Sequence, residues 1–351
     1  MKAGVYYGPR DVRYEDVPDL ALTGDYFDAL IKVEAAGICG SDMHRYNNAP
    51  GAPVQGNRVF GHELAGTVIE VGPNVTGIKV GDRVGVEPLV TCGACRYCKC
   101  GEYQICADLA HVGGKHSGGF AQYAKAPHKN LFKLPDHVPF DEASTLDCYS
   151  VAVHALRRVP VTIGDTVVVI GTGAIGICIS QVAKAAGAAK VIIVGRRESA
   201  LEVARNCGIA DAFNSAKGDL TEYVMSQTGG MGADVAFEAV GGPGGASTMQ
   251  QAIDVLRPMG TVGCVANPNI AEINFRNMYR KELSMKFVQS FSAWGPRPEF
   301  EIALRMMAEG RINAKHMITH HLSLKDVSAG FEAMRDRNAS GACKVVLLPH
   351  A

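Results

Sequence analysis

The chain has 351 residues, with 35 Lys and Arg against 35 Asp and Glu. This length fits two domains better than one hydrophobic core. The balanced charge offers no basic field for nucleic acid or an anionic membrane, and no apolar run approaches the roughly 20 residues that cross a bilayer. The first residues lack the apolar segment of a signal peptide. We therefore expect a cytoplasmic protein with no nucleic-acid or membrane partner.

The first part of the chain predicts short β-strands separated by glycine turns. Apolar and polar residues alternate there, with turns at Gly8-Pro9 and Gly24-Asp25. The strand-like segments are 29–36, 65–71, 80–86 and 120–124.

Residues 37–63 contain the side chains that suit a catalytic metal. A thiolate from Cys39 and an imidazole from His62 are ligands that zinc prefers, and catalytic zinc takes three protein ligands with one open position. Glu63, or a carboxylate further along the chain, would supply the third ligand. The alternative for Cys39 and His62 is a buried thiol and a core histidine.

The segment CGACRYCKCGEYQIC at 92–106 is the most specific motif in the chain. Three thiols separated by two-residue gaps, with a fourth further along the segment and no open position, predict a structural zinc site in a lobe at about 90–108. A disulfide framework fits an odd total of 11 cysteines poorly. Cys100 is a fifth thiol that we expect not to bind the metal. The four predicted ligands are Cys92, Cys95, Cys98 and Cys106.

A helix is predicted to begin near residue 146. Asp147 lies at its start, where it can cap the helix or serve as a carboxylate at the metal.

The character of the sequence changes at residue 164. An apolar strand at 165–170 is followed by GTGAIG at 171–176, a helix at 175–186 and a second apolar strand at 190–194. Strand, GxGxxG, helix and strand within one unit form the dinucleotide-binding fingerprint, with the pyrophosphate at the helix N-terminus. Further strands are predicted at 235–238 and 261–265. The cofactor-binding residues predicted in this motif are Gly171, Gly173, Ala174, Ile175 and Gly176.

The end of the second strand predicts the choice of nicotinamide cofactor. An NAD site carries an acidic residue there, whereas an NADP site carries arginine for the 2′-phosphate. This chain has Gly195, Arg196 and Arg197, and guanidinium groups bind phosphate with charge-assisted hydrogen bonds. We therefore predict NADP(H) in preference to NAD(H). The alternative is that both arginines are solvated residues at a helix start.

GICGSDMH, GHELAG, the four-cysteine lobe and VVVIGTGAIG occur in this order. With them the chain resembles the zinc-dependent medium-chain alcohol dehydrogenases, closest to the sorbitol (polyol) and threonine dehydrogenase group. The resemblance covers essentially the whole chain. It implies a mixed α/β and β architecture, in which a GroES-like catalytic domain at 1–152 and 290–351 carries an inserted Rossmann domain, a doubly wound parallel sheet, at 153–289. A terminal strand at 341–348 would re-enter the first sheet, and a helix is predicted at 300–309.

The resemblance also implies roles for individual residues. Cys39 and His62 match zinc ligands, and Glu63 and Asp147 match acidic positions at the metal. Aspartate is shorter than the usual glutamate, and the adjacent Cys148 is a less favoured substitute. Ser41 matches the hydroxyl that contacts the alcohol, and His44 matches the relay that passes its proton to solvent. Val240 and Val265 complete the predicted cofactor site. A homodimer or homotetramer is implied.

These residues together predict oxidation of a secondary alcohol, a polyol or sugar alcohol, with hydride transfer to NADP⁺. Zinc acts as a Lewis acid on the alcohol oxygen. The side chains near Arg45, Tyr46 and Asn47 are expected to line the pocket. The alternatives are a threonine-type or simple secondary-alcohol dehydrogenase that uses NAD(H), a zinc-free quinone reductase, and a non-catalytic nucleotide-binding relative.

Overall fold

The computed structural model describes residues 1–22, 28–47, 58–266 and 272–351, apart from the side chain of residue 243. Within these ranges no helix is long and apolar enough to span a membrane. The chain divides into two compact units, Met1–Asp147 with Ile318–Ala351, and Cys148–Met317. The first unit is therefore built from both ends of the sequence, and the second is continuous.

The strands, numbered in chain order, are β1 (Lys2–Gly8), β2 (Asp11–Asp16), β3 (Ala29–Gly37), β4 (Glu63–Val71), β5 (Arg83–Val86), β6 (Leu89–Val90), β7 (Ala110–His111), β8 (Tyr123–Ala126), β9 (Leu131–Lys133), β10 (Thr166–Ile170), β11 (Lys190–Gly195), β12 (Asp211–Asn214), β13 (Ala233–Glu238), β14 (Leu256–Cys264), β15 (Ser284–Phe287), β16 (Ala293–Trp294), β17 (Arg297–Pro298), β18 (Ile318–Ser323) and β19 (Lys344–Leu348). The α-helices are α1 (Gly40–Tyr46), α2 (Arg96–Lys99), α3 (Phe140–Ala143), α4 (Leu146–Arg158), α5 (Ala174–Ala185), α6 (Glu198–Asn206), α7 (Leu220–Gln227), α8 (Gly245–Asp254), α9 (Arg276–Lys281), α10 (Glu299–Ala308), α11 (Val327–Arg335) and α12 (Arg337–Ser340). Short 3₁₀ helices occupy Tyr103–Ile105, His128–Asn130, Gly242–Gly244 and Leu324–Asp326.

The main sheet of the first unit has the strand order β18-β19-β3-β4-β5-β9, and β8 also pairs with β3. Ile31 and Val33 on β3 and Val68 on β4 are fully buried in its core, as apolar residues that alternate along half-buried strands should be. Gly37 of β3 pairs with Glu63 of β4 on one side and with Val346 of β19 on the other. The predicted terminal strand therefore joins the first sheet beside the metal-binding segment.

The second unit contains a six-stranded parallel sheet in the order β12-β11-β10-β13-β14-β15. Residues 167–170 of β10 are buried because helices cover both faces of such a sheet. The strand order reverses between β10 and β13, and ligands bind at such a switch point, beyond the carboxyl ends of the strands. The predicted Rossmann architecture is confirmed.

Two predicted strand segments differ in the structure. Residues 80–82 form a turn before β5, because Gly81 has φ +90° and the Asp82 carboxylate accepts a hydrogen bond from the Lys79 amide at 2.9 Å. Residues 120–122 precede β8, and their backbone makes isolated hydrogen bonds to neighbouring segments in place of a continuous strand. For example, the Phe120 carbonyl accepts a hydrogen bond from the Gly4 amide at 2.7 Å. The predicted turn at Gly24-Asp25 lies outside the described residues.

The boundaries of the two units also differ from the predicted domains. Residues 290–317, which the resemblance placed with the catalytic domain, pack in the second unit, and so do residues 148–152. The physical reason is a buried ionic cluster. Glu299 at the start of α10 lies 2.9 Å from His154 Nδ1 and 2.7 Å from Arg157 Nε, both on α4. This cluster ties α10 to α4, so the second unit extends to Met317.

Candidate active site and metal centres

Cys39 and His62 approach one another from the two ends of the metal-binding segment. Cys39 follows β3 and precedes α1, whereas His62 directly precedes β4, the neighbour of β3. One ligand atom each of Cys39, His62 and Glu63 lie within 4.8 Å of one another. Both Cys39 and His62 are half-buried. The antiparallel pairing of β3 with β4 therefore brings together residues that are 23 positions apart in sequence.

Asp42 supports both of these residues from α1. Its Oδ2 accepts a hydrogen bond from the Cys39 amide at 3.0 Å, and its Oδ1 lies 3.8 Å from His62 Nδ1. That second oxygen is buried and has no hydrogen-bond partner among the residues that the structure describes. A histidine that binds metal through one ring nitrogen commonly turns the other toward a carboxylate. The Asp42 carboxylate therefore fits a metal on His62, although sequence reasoning missed it.

The electrostatics of His62 suit the same interpretation. Burial alone would lower its pKa, but the neighbouring Cys39 and Asp42 raise the pKa of His62 well above its usual value. The negative groups around this imidazole therefore outweigh its desolvation, and such a concentration of acidic groups also attracts a cation. Thiolate, imidazole and carboxylate together form a donor set that fits catalytic zinc.

Glu63, a candidate ligand, is held by a lysine from the other end of the chain. Lys344 Nζ lies 2.8 Å from its Oε1 and 2.6 Å from its Oε2, and also donates to the Ile38 carbonyl at 3.3 Å. Glu63 packs against Gly37, where an added Cβ would lie 2.3 Å from Glu63 Oε2. Sequence reasoning missed Lys344; its signal was one lysine within the apolar strand β19.

Asp147 brings a second carboxylate to the same place. It lies in the first turn of α4, and one of its oxygens is within 4.8 Å of an oxygen of Glu63. Burial raises the pKa of Asp147 to about 6, although the nearby charge on His62 opposes the shift. Because Glu63 is paired with Lys344, Asp147 is the carboxylate of the two without a salt bridge in the described part of the chain.

Helix α1 carries the predicted proton relay. Ser41 and His44 are both exposed and three positions apart, so they lie on the same face of the helix.

The side chain of Tyr46 does not lie where the prediction of a pocket-lining residue would place it. Its ring is buried against Phe331, and its hydroxyl donates to Glu332 Oε1 at 2.6 Å. Asn47 is exposed at the end of the helix.

His111 is a further titratable group near this cluster that sequence reasoning missed. It ends β7, and the following loop packs on the metal segment, since a Cβ at Gly113 would lie 2.4 Å from the Gly61 carbonyl. Burial, with the positive charges of His62 and Arg45, lowers the pKa of His111 to about 4. At neutral pH this imidazole is therefore uncharged.

The four predicted thiols of the lobe converge on one point. Sulfur separations are 3.9 Å between Cys92 and Cys98, 3.5 Å between Cys95 and Cys98, and 3.5 Å between Cys92 and Cys106. Zinc–sulfur bonds of about 2.3 Å place the sulfurs of a tetrahedral site about 3.8 Å apart, so the geometry fits zinc.

Backbone amides around the lobe favour thiolates. The Cys98 amide donates to Cys95 Sγ at 3.5 Å and, as the main cause, lowers the pKa of Cys95 to about 6. The fifth thiol, Cys100, lies apart from this group and instead donates to the Tyr97 carbonyl at 3.4 Å.

The glycine loop after β10 forms a tight turn that leads directly into α5. Gly171 has φ +126°, and a Cβ at Gly176 would lie 1.9 Å from the Gly171 carbonyl oxygen. No side chain fits at either position, and α5 begins immediately afterwards at Ala174 with Gly173 as its N-cap. Ile175 lies in the first turn of α5. The exposed amides of this N-terminus fit a pyrophosphate.

Gly195, Arg196 and Arg197 lie where β11 passes into α6. A Cβ at Gly195 would lie 2.6 Å from Thr172 Cγ2, so no acidic side chain fits there without movement of Thr172. Arg196 is exposed and Arg197 half-buried.

The nearest acid along the chain is Glu198. Hydrogen bonds from Asn214, Lys217 and Arg205 lower the pKa of Glu198 to about 2. The negative charge of Glu198 is therefore stabilised by these three side chains.

Val240 and Val265 lie beyond the carboxyl ends of β13 and β14. Val240 is 46% exposed, so it is open to a ligand at that edge. Both positions lie on the ligand side of a doubly wound sheet.

Comparisons with known proteins agree with this arrangement. Residues 25–136 match the model of the alcohol dehydrogenase GroES-like domain, and residues 174–309 match that of the zinc-binding dehydrogenases. Sorbitol dehydrogenase from Bacillus subtilis (strain 168) is 32% identical over 354 residues, covering 100% of this chain and 98% of the relative. L-Threonine 3-dehydrogenase from Escherichia fergusonii is 36% identical over 95% of this chain and 94% of the relative.

Among solved structures, galactitol-1-phosphate dehydrogenase from Escherichia coli superimposes with a TM-score of 0.90 at 26% identity, covering 99% of this chain and 100% of the neighbour. With these relatives and both family models, the chain belongs to the zinc-dependent medium-chain alcohol dehydrogenases, an NAD(P)-dependent oxidoreductase of their sorbitol and threonine dehydrogenase group.

Proposed function

We propose that this protein oxidises a secondary alcohol of a polyol or sugar alcohol, with NADP⁺ as the hydride acceptor. The observation that carries the proposal is the convergence of Cys39, His62 and Glu63 within 4.8 Å, with the Asp147 carboxylate beside Glu63. A soft thiolate, an imidazole and a hard carboxylate in one half-buried place are the donors of a catalytic zinc site. The zinc-free and non-catalytic alternatives need none of them.

We further propose that Cys39, His62 and Asp147 hold the metal. Both oxygens of Glu63 face Lys344, so recruiting Glu63 as a ligand would break a buried ion pair. Asp147 makes no such ion pair among the described residues, and it lies in the first turn of α4 with a carboxylate oxygen within 4.8 Å of an oxygen of Glu63. Asp42 orients His62 from behind.

Two side chains of α1 carry the proton of the alcohol to solvent. The Ser41 hydroxyl accepts the proton at Oγ as its own proton passes to His44, and His44, exposed on the same helix face, releases a proton to solvent. When bound, zinc supplies Lewis-acid polarisation of the alcohol oxygen, and the nicotinamide supplies the hydride acceptor.

The residues at the end of β11 support the proposed preference for NADP⁺. Arg196 and Arg197 offer guanidinium groups at the end of the strand, and Thr172 occupies the space that an acidic residue at position 195 would need. Charge-assisted hydrogen bonds to a phosphate are among the stronger polar interactions in proteins. Glu198, the nearest acid, is bonded to Asn214, Lys217 and Arg205.

The test is a panel of initial rates with C4–C6 polyols, threonine and simple secondary alcohols, each with NAD⁺ and with NADP⁺, together with zinc analysis. We expect a higher kcat/KM for polyols with NADP⁺, and about two zinc ions per chain. Preference for threonine with NAD⁺ would favour the second candidate function, for which the threonine dehydrogenase relative is the supporting observation. The cytoplasmic location and the homodimer or homotetramer stay predictions.

A further inference from the structure

The surroundings of α1 contain an excess of positive side chains. No Asp or Glu occurs between Asp42 and Glu63, whereas His44, Arg45 and Arg58 do. The loop that packs on this segment is similar, since residues 109–135 contain Lys115 and His116 but no acid. The chain as a whole carries equal numbers of basic and acidic residues. The imbalance is therefore confined to these two segments of the sequence, and the acidic residues Asp42 and Glu63 flank the first of them.

Arg45 is a half-buried cation on α1. Its guanidinium lies over the Phe60 ring at 4.9 Å from the centroid, and its Nη1 donates to the Gly113 carbonyl at a long 3.4 Å. Gly113 rests on the backbone of His62, since a Cβ there would lie 2.9 Å from the His62 amide nitrogen. The guanidinium is thus held beside the loop that packs on the backbone of His62.

Three other half-buried arginines have stronger or more numerous partners. Arg157 and Arg257 each bind a carboxylate, at 2.7 and 2.6 Å. Arg83 donates to three carbonyls. Arg45 makes no salt bridge with any described residue, and the intervening segment 48–57 contains no acid in its sequence. Among the described residues the Arg45 guanidinium makes one hydrogen bond, that to the Gly113 carbonyl, so it has further donors to offer a ligand.

We propose that Arg45 binds an anionic group on the substrate, a carboxylate or a phosphate monoester, so that the polyol oxidised here is an acidic one. This inference rests on the proposed function and narrows its substrate class. A planar guanidinium over an aromatic ring presents a forked edge that matches both oxyanions. Lys115 in the neighbouring loop adds a second, exposed positive charge.

The test compares neutral C5 and C6 polyols with the monocarboxylates and the monophosphates of the same carbon skeletons. We expect one of the two anionic classes to exceed its neutral parent at least tenfold in kcat/KM, and which class does so distinguishes carboxylate from phosphate recognition. Arg45→Gln should raise KM for that anionic substrate by about 10- to 100-fold, the range for a lost charged hydrogen bond. Arg45→Lys should retain part of the advantage.

The readouts separate recognition from a structural role. Arg45→Gln should raise KM for the anionic substrate much more than it changes KM for NADP⁺ or for neutral polyols, because the interaction with the substrate charge is the one that is lost. Arg13→Gln is the matched control, because Arg13 also lies over an aromatic ring, that of Tyr7, in the same unit. It should leave the anionic preference intact.

Equal turnover of anionic and neutral polyols by the unmodified protein would overturn the inference and leave the proposed function standing. A change in KM for NADP⁺ alone would assign Arg45 to the cofactor and also overturn it. If no alcohol of the panel is oxidised, the proposed function fails. Calorimetric titration of the zinc-loaded protein with the same monocarboxylates and with inorganic phosphate then decides the inference, since Arg45→Gln must abolish the binding that the unmodified protein shows.

Discussion

Lys344 and Glu63 form a buried ion pair between β19 and β4, with Nζ 2.8 and 2.6 Å from the two carboxylate oxygens. The two side chains are 2% and 0% exposed. Taking both charges out of water is costly, and only close hydrogen-bonded geometry offsets that cost. The pair therefore fixes one carboxylate beside the candidate zinc ligands and leaves Asp147 as the other.

Removing the lysine should destabilise the first unit. Lys344→Met leaves Glu63 as a buried charge without its partner, and such losses cost about 3 to 5 kcal/mol. Urea unfolding of the zinc-loaded protein measures the change in the free energy of unfolding. Glu63→Gln added to Lys344→Met should recover a large part of the loss, because no uncompensated charge then remains. Equal stability of the single and double variants would contradict the ion pair's role.

Asp147 should be needed for catalytic zinc. Asp147→Asn replaces an anionic ligand with a neutral amide, so zinc content should fall from about two ions per chain towards one, with kcat reduced at least 100-fold. Metal analysis after dialysis checks the first result, and initial rates check the second. Asp147→Glu, which keeps the charge, should hold zinc better than Asp147→Asn. Full zinc occupancy in Asp147→Asn would instead point to Glu63.

The lobe should lose its own zinc independently. Cys95→Ser removes one of four sulfurs, so one zinc per chain should be lost and residues 92–106 should become accessible to protease. Cys100→Ser is the matched control in the same lobe, because the Cys100 sulfur lies outside the group of four. It should keep both zinc ions. Loss of zinc from the control would show that Cys100 is a ligand.

The cofactor preference should depend on two positions together. Gly195→Asp alone places its Cβ 2.6 Å from Thr172 Cγ2, so we expect weaker binding of both nicotinamides. Gly195→Asp combined with Thr172→Ala clears that contact and sets a carboxylate against the 2′-phosphate. This double variant should shift the NADP⁺ to NAD⁺ ratio of kcat/KM towards NAD⁺ by at least tenfold. An unchanged ratio would remove the basis for assigning the phosphate to this edge.

Features encoded by neighbouring residues were predictable from the sequence. The buried strand β10, the glycine loop after it and the convergence of Cys92, Cys95, Cys98 and Cys106 follow from local spacing, because the motif itself sets the geometry. Within the candidate site, Cys39 and His62 were predicted because their residue types are chemically specific.

Features that depend on distant partners were not predictable. Lys344 lies 281 residues from Glu63, and no spacing rule connects them. Tyr46 follows the relay residues in sequence, yet its ring packs on Phe331 and its hydroxyl binds Glu332 of α11. The extent of the second unit likewise depends on Glu299, whose partners His154 and Arg157 lie on α4. Such contacts are set by tertiary packing, which can override local patterns.

The first unit is built from both ends of the chain, so its folding depends on the order in which the chain is synthesised. At about 5 to 20 residues per second, a ribosome needs roughly 14 to 56 s to advance from Glu63 to Lys344. The continuous second unit, residues 148–317, is translated entirely within that interval. Until β19 emerges, the nascent polypeptide carries Glu63 without its counterion and β3 with one neighbour missing. The sheet of the first unit can therefore be completed only after the second unit has been synthesised.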